Sequence, residues 1–571
     1  MLTPFILLTY TDRRRLLGKD LLHEHSSPAA LPDSSARIDQ PRCMEDTRVE
    51  LVQELLDWEE SLLDAATMMW VSGGAGTGKT ALLLTFADLC RRSGRSVGAF
   101  FASNRIANCG DGNRIFATLA IQLIQALPLT KRYIYKALRQ DPHLFSKGRE
   151  VQMDRLIVKP IQKVARFARF LKTIHVRSYP KLIVIDGLDE CTGKDVQSDI
   201  VRVIGDAMKD VRLPLRFLIA SRPEPHICQS IDRLRLQFPN DRVSFIDLKE
   251  DALVRRDIRR YFKVKFEEAR TMHPELPAHW PGEDVIAQLV DKASGQFIYA
   301  TTIMSYILSP HYSSEDRLAI IRGLTDRPTG DEPYENLDQL YSHIVQNATR
   351  RDNVLQIMAV LIVIGWITSS AGTSTNSPAQ LRYPPILDQI LDMRRGEVRR
   401  CLIDMHSLVD IGNDSRDIRI YHKSFPDFLL DPSRSKQFHV QIDNAYDRVY
   451  SHLVRASRYP TTTLHILGQV IIAESMPSDV DMFGTPSNSS SPQRLEAILG
   501  LDRGVVRRVV ADILVLLDVE NQNQDVRIQH PTFVEFLLDK SRSQELFVDA
   551  DDARLTLQDA SIRMIFNTER M

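Results

Sequence analysis

Nine residues, Ser72–Thr80, read SGGAGTGKT and limit what this chain can fold into more than any other stretch. They satisfy the pattern GxxxxGK[ST] through Gly73, Gly78, Lys79 and Thr80. Small residues let the backbone wrap so that successive N–H groups point inward at an anion, and the helix that follows adds its positive end. The amides available for this run through Gly74, Ala75, Gly76, Thr77 and on to Ala81. Lys79 is placed to reach β- and γ-phosphates as a point charge, and the Thr80 hydroxyl to ligate Mg²⁺. The context agrees: the apolar run Met68–Val71 precedes the loop as a strand, and Ala81–Cys90 follows as a proline-free helix. The expected ligand is a nucleoside triphosphate, ATP with Mg²⁺.

Further short apolar runs, Val97–Ala102, Leu182–Ile185, Phe217–Ala220 and Val243–Ile246, alternate with helical stretches. That alternation predicts a doubly wound parallel sheet covered on both faces. Lys181–Cys191 reads KLIVIDGLDEC, a buried strand ending in acids. Such a strand end is where a phosphate-loop enzyme places its magnesium carboxylate, so Asp186 is expected to hold Mg²⁺ through water. Asp189 and Glu190 are candidates for polarising an attacking water. Phe217–Ala220 runs into Ser221-Arg222-Pro223, and an arginine at a strand's carboxyl end lies on the ligand side of an open α/β sheet. Arg222 is a candidate γ-phosphate contact.

Beyond about residue 250 the spacing turns helical, over Ile258–Ala269, Val285–Ala293 and Phe297–Leu308. An internal repeat follows. Tyr341-Ser-His343 recurs as Tyr450-Ser-His452, Arg395-Gly396 as Arg503-Gly504, and Arg399-Arg400 as Arg507-Arg508. His422 recurs as His530, and Phe425, Phe428 and Leu429 as Phe533, Phe536 and Leu537. Each copy reads helix, helix, two-strand hairpin, helix, which is the layout of a winged helix. In the first copy Gly412–Ser415 has the composition of the hairpin turn. The expected organisation is a flexible lead-in to residue 46, an α/β nucleotide domain with its preceding helix at 47–248 and a helical domain at 249–336. Winged-helix units follow at 337–445 and 446–553, and a tail at 554–571. Surface linkers are expected at 369–377 and 477–492.

The charge balance, 73 Lys and Arg against 74 Asp and Glu in 571 residues, leaves no global field to steer nucleic acid or an anionic membrane. Six cysteines form no CxxC pair, so neither a zinc site nor a disulfide framework is signalled. The apolar stretch Val354–Ile367 is interrupted by Gln356 and Gly365 and falls short of a membrane span. The chain reads as soluble and cytoplasmic. Arg394, Arg395, Arg399 and Arg400 lie where a winged helix could grip DNA. An amphipathic helix with Val398, Leu402 and Met405 inward carries the same arginines on its wet face without any such role.

Taken in order, GGAGTGKT, LIVIDGLDEC and FLIASRPEPHI resemble the NACHT class of STAND ATPases, and the fungal NLR-like proteins closely. The resemblance includes the preamble Cys43–Arg48 and reaches through Gly295-Gln296-Phe297 to the region near residue 440. It implies a signalling switch of the innate-immunity or self/non-self kind. Such proteins hold ADP when closed, exchange it for ATP, then open and self-associate, with slow hydrolysis as the reset. It also implies that a histidine of the winged helix touches the ADP phosphates, which points to His422 in Ile420-Tyr-His422-Lys-Ser-Phe425. Lys423 stands where the family carries an activation-linked Asp, and Phe297 where plant and animal relatives have proline in a Gly-x-Pro segment. No sensor repeat is read after residue 553 and no effector domain ahead of residue 47, so sensing and output are expected from protein partners or a longer architecture. The competing readings are an interaction scaffold stabilised by nucleotide without turnover, and a DNA-dependent ATPase.

Overall fold

Val, Ile, Leu and Phe dominate the short runs singled out above, and such residues pack best on a pleated surface covered on both sides. In a computed structural model of the chain all five runs are strands of one parallel sheet. They are β1 (Met68–Ser72), β2 (Ser96–Phe101), β3 (Leu182–Asp186), β4 (Arg216–Ser221) and β5 (Val243–Asp247), in the order β2-β3-β4-β1-β5. The structure describes residues 18–37, 40–61, 66–104, 106, 108–171, 181–209, 215–238, 242–248, 252–309, 312–325, 334–370, 378–411, 416–475, 490–518 and 525–568. The chain divides into two compact units, Met1–Leu340 and Tyr341–Met571.

In the first unit the helices are α1 (Val49–Glu60), α2 (Lys79–Arg92), α3 (Ile115–Ala126), α4 (Lys131–Gln140), α5 (Lys159–Leu171), α6 (Lys194–Met208) and α7 (Pro225–Gln237) around the sheet. After β5 come α8 (Ala252–Met272), α9 (Glu283–Ala293), α10 (Phe297–Ile307), α11 (Ser314–Thr325) and α12 (Glu335–Gln346). Side chains alternate across a strand, and here both faces are buried. Met69, Val71, Val184 and Leu218 pack with Leu55 of α1 and Leu82, Leu83 and Phe86 of α2. Met68, Phe100, Ile183 and Phe217 pack with Phe116 and Leu119 of α3 and Ile200 and Ile204 of α6. The register aligns the carboxyl ends, with Ser72 opposite both Ser221 and Asp247, and Phe101 opposite Asp186. Loops leaving β1, β3 and β4 therefore emerge on one edge.

The lead-in departs from expectation. Its polar composition suggests flexibility, yet Leu22, Ala30 and Arg37 are buried at 1%, 0% and 1% exposure. The Arg37 guanidinium donates to the carbonyls of Ala29 and Phe101 and lies over the Phe101 ring. Tertiary contacts, which leave no periodic trace, hold the described residues 18–37 of this segment.

The second unit carries the duplication in atomic detail. Its first ladder pairs β6 (Val409–Asp410) with β7 (Arg419–Ile420), and its second pairs β8 (Leu517–Asp518) with β9 (Arg527–Ile528). The Tyr341 hydroxyl meets Ser424 Oγ at 2.7 Å and its ring packs on Phe425 and Phe428. Tyr450 repeats this with Thr532 Oγ1 at 2.8 Å, Phe533 and Phe536. Asp388 accepts from the amides of Gly396 and Val398, and Glu496 from those of Gly504 and Val506. In each copy an acid thus satisfies the orphan amides at a helix start, although the side chains differ in length. The turn expected at 412–415 lies outside the described residues, as do most of the linkers expected at 369–377 and 477–492. Val398, Leu402 and Met405 are fully buried, so the helix Glu397–Leu402 is amphipathic as its spacing predicts. The tail, in turn, begins inside a helix, Ala550–Thr568.

Among the described residues one helix, Arg351–Ser370, contains a window long and apolar enough to cross a membrane, and 67% of that window is buried inside the protein. That burial is the habit of a core helix.

Candidate nucleotide-binding site

The site begins where β1 ends at Ser72. The loop that follows turns through Gly76 at φ +78° and Gly78 at φ +88° before α2 starts at Lys79. These angles favour glycine, and at Gly76 space forbids anything larger: a Cβ there would lie 2.1 Å from Cγ2 of Ile298. Lys79 Nζ donates to the carbonyls of Gly73 at 2.7 Å and Gly74 at 2.8 Å. Burial lowers the Lys79 pKa, opposed by the nearby charges of Asp189 and Asp186.

Thr80, on the first turn of α2, donates its hydroxyl to Asp186 Oδ2 at 2.7 Å. In the sheet order β4 stands between β1, which leads through the loop into α2, and β3, which carries Asp186. Asp186 is 2% exposed, and burial raises its pKa to about 6 against the opposing Thr80 bond and the charges of Arg37 and Lys79. Its other oxygen, Oδ1, is buried with no hydrogen-bond partner. A sequestered carboxylate oxygen beside a hydroxyl suits a hard cation of the Mg²⁺ type, so the residues present fit the metal the loop implies.

Asp189 and Glu190 follow Gly187, whose φ of +70° turns the chain off β3. They part ways. Asp189 is held by Arg222, whose amide donates to Oδ1 at 3.1 Å and whose Nε lies 3.4 Å from Oδ2. Glu190 accepts from the Asn104 amide at 3.4 Å. Gln197 of α6 donates to the Asp189 carbonyl at 3.2 Å and meets His226 Nε2 at 2.6 Å, which ties the start of α7 to the same turn. Lys79, Thr80, Asp186, Asp189, Glu190 and Arg222 are therefore gathered on one edge of the sheet.

Four further residues near the site lie outside the phosphate loop, the acidic strand end and the Arg222 turn. Arg37 sits behind Asp186 and feels its charge. Arg48, in a left-handed conformation at the start of α1, donates to the Thr77 carbonyl at 2.8 Å and lies over the Phe297 ring. The Ile298 amide donates to the Gly76 carbonyl at 3.2 Å, and the Tyr334 hydroxyl accepts from the Ala75 amide at 3.2 Å. Only Arg48 and Phe297 lie in segments that the family resemblance marks.

His422 belongs to the second unit. Its Nδ1 accepts from the Ser424 amide at 3.1 Å and lies 2.7 Å from Ser424 Oγ, at the start of the helix Ser424–Leu430. The duplicate His530 is also at a helix start, with its pKa lowered by burial.

The family described as Nephrocystin 3, N-terminal, matches residues 51–222, a segment from α1 to Arg222 that includes the phosphate loop and the end of β3. The match spans less than a third of the chain. No curated protein matches. Among solved structures, Cdc6p from Pyrobaculum aerophilum is similar at 13% identity and a TM-score of 0.28, over 71% of this chain and 98% of that one. The Aeropyrum pernix ORC2 protein, solved as ADPNP and ADP complexes, is similar at 11% and 0.30, over 72% and 95%. Drosophila ORC bound to DNA gives 14% and 0.25, over 75% and 93%. All three TM-scores are low. The parallel sheet, the glycine loop between β1 and α2, and Asp186 at the end of β3 make the first unit the α/β core of a P-loop nucleoside triphosphatase.

Proposed function

We propose that this protein is an ATP- and ADP-binding signalling switch of the NACHT type with slow Mg²⁺-dependent ATPase activity. The observation that carries the reading is the closure of the segment beyond the sheet onto the phosphate loop, through Ile298 to Gly76 and Tyr334 to Ala75. Covering segments of this kind also occur as lids in turnover enzymes. In a switch, nucleotide state biases the position of the covering segment.

In this reading Gly74–Ala81 bind the phosphates with backbone amides, and Lys79 and Arg222 offset their charge. Thr80 and, through water, Asp186 would hold Mg²⁺, which would supply positive charge to offset that of the phosphates. Glu190 orients water, while Asp189 fixes Arg222. His422 contacts the ADP phosphates: accepting at Nδ1 places the imidazole proton on Nε2, the form that donates to a phosphate oxygen. The paired repeats serve as winged-helix units that move with the nucleotide state. The protein acts in the cytoplasm, self-associates when loaded with ATP, and relies on protein partners for input and output.

The test is to load the purified protein with ADP, exchange it for ATP with Mg²⁺, and follow phosphate release and molecular mass together. Slow release with growth in mass on ATP alone supports the switch. Tight nucleotide binding with neither release nor growth would leave the scaffold reading in its place.

A further inference from the structure

We infer that Tyr334 makes this site discriminate between a nucleoside diphosphate and a triphosphate, an inference that rests on the nucleotide-binding reading above. The loop amides cradle the α- and β-phosphates, and the lysine reaches β and γ. Lys79 Nζ is bonded to the carbonyls of Gly73 and Gly74, so the Gly74–Ala75 peptide lies at the end of the loop where the lysine works. Tyr334 holds the other side of that same peptide, its hydroxyl accepting from the Ala75 N–H at 3.2 Å. A terminal phosphate oxygen and the Tyr334 hydroxyl therefore compete for one donor. A diphosphate, held by the amides nearer α2, leaves the tyrosine bond in place.

Two features show that the approach is built into the fold. Gly74 is not a fixed position of the loop pattern, yet a Cβ there would lie 3.0 Å from the Tyr334 hydroxyl. Tyr334 is also positioned by the helix that follows it. Its carbonyl accepts from the Asp338 amide at 2.8 Å, which ties it to α12, and Asn336 donates to the Lys292 carbonyl at 3.0 Å. Expelling the hydroxyl displaces the first turn of α12, which starts at the next residue, Glu335. The terminal phosphate is thereby read by a helix rather than by a loop.

The experiment measures the dissociation constants of ADP and of a non-hydrolysable ATP analogue, each with Mg²⁺, on the full chain and on Tyr334→Phe. Loss of one hydrogen bond should shift the ADP-to-analogue affinity ratio toward the triphosphate by about three- to tenfold, with ADP binding itself little changed. Equal changes for both ligands, or none, would overturn the inference and leave nucleotide binding intact. Binding of neither ligand by the wild type would overturn both. Should Tyr334→Phe fold poorly, hydrogen exchange of the wild-type peptide over residues 334–346 decides. The analogue should speed exchange relative to ADP, and identical exchange with the two ligands would overturn the inference.

Discussion

Thr80 Oγ1 and Asp186 Oδ2 lie 2.7 Å apart, joining the helix after β1 to the end of β3. The bond uses one carboxylate oxygen and leaves the other buried without a partner. A buried carboxylate oxygen is costly unless a donor or a cation meets it.

That cost has a sign. Asp186 titrates near 4 when unfolded and at about 6 in the fold because of burial. The fold therefore holds the proton more tightly, so the carboxyl's contribution to stability is full below pH ~4 and is lost as pH rises through about 6. Asp186→Asn should raise the melting temperature at pH 7, without Mg²⁺ or nucleotide, by roughly 2–6 °C. The gain should shrink as pH falls, and Mg²⁺-dependent hydrolysis should disappear. Melting curves between pH 4 and 8 check the first part.

Arg222→Ala removes the cation and its Nε contact at 3.4 Å to Asp189 Oδ2, and keeps the bond from its own amide to Oδ1. Hydrolysis should fall by about 10²–10³-fold, as when a charge-stabilising donor is removed, with a much smaller change in nucleotide affinity. Single-turnover kinetics alongside direct binding separates the two effects.

Gly76→Ala meets two obstacles, a φ of +78° and Cγ2 of Ile298. The expected loss is about 1–3 kcal/mol, read by denaturant unfolding. Trypsin should also cut faster around α10, since relief comes most easily by lifting Ile298 off the loop.

The duplication supplies a paired control. Tyr341→Phe and Tyr450→Phe each remove one hydroxyl-to-hydroxyl bond and keep the ring on two phenylalanines. Each should cost about 1 kcal/mol, and the two costs should agree. A large cost for one copy alone would mean that the copies no longer do the same structural work.

The strands were legible because each is a continuous apolar run between turn residues, and the phosphate loop because its chemistry fixes four residues in nine. The repeat could be read since Tyr, Phe, Gly and Arg recur at matching intervals, and in the fold Gly396 and Gly504 are both left-handed, at φ +78° and +85°. Arg37 and Tyr334 were not legible. Arg37 bonds to backbone carbonyls, and Tyr334 to a backbone amide, contacts that depend on where distant segments pass and not on local pattern. The acid that pairs with Arg222 was visible as a candidate, but only geometry separates Asp189, engaged by the arginine, from Glu190.

The most direct measurement is calorimetric titration of the purified full chain with ATP and with ADP, each with Mg²⁺, beside Lys79→Ala. The expected result is one nucleotide bound per chain, with affinity falling about 100-fold or more when the Lys79 ammonium is removed, some 2.7 kcal/mol. A well-folded wild type that binds neither nucleotide, or a Lys79→Ala variant that binds both as tightly as wild type, would contradict a phosphate site at Gly73–Ala81.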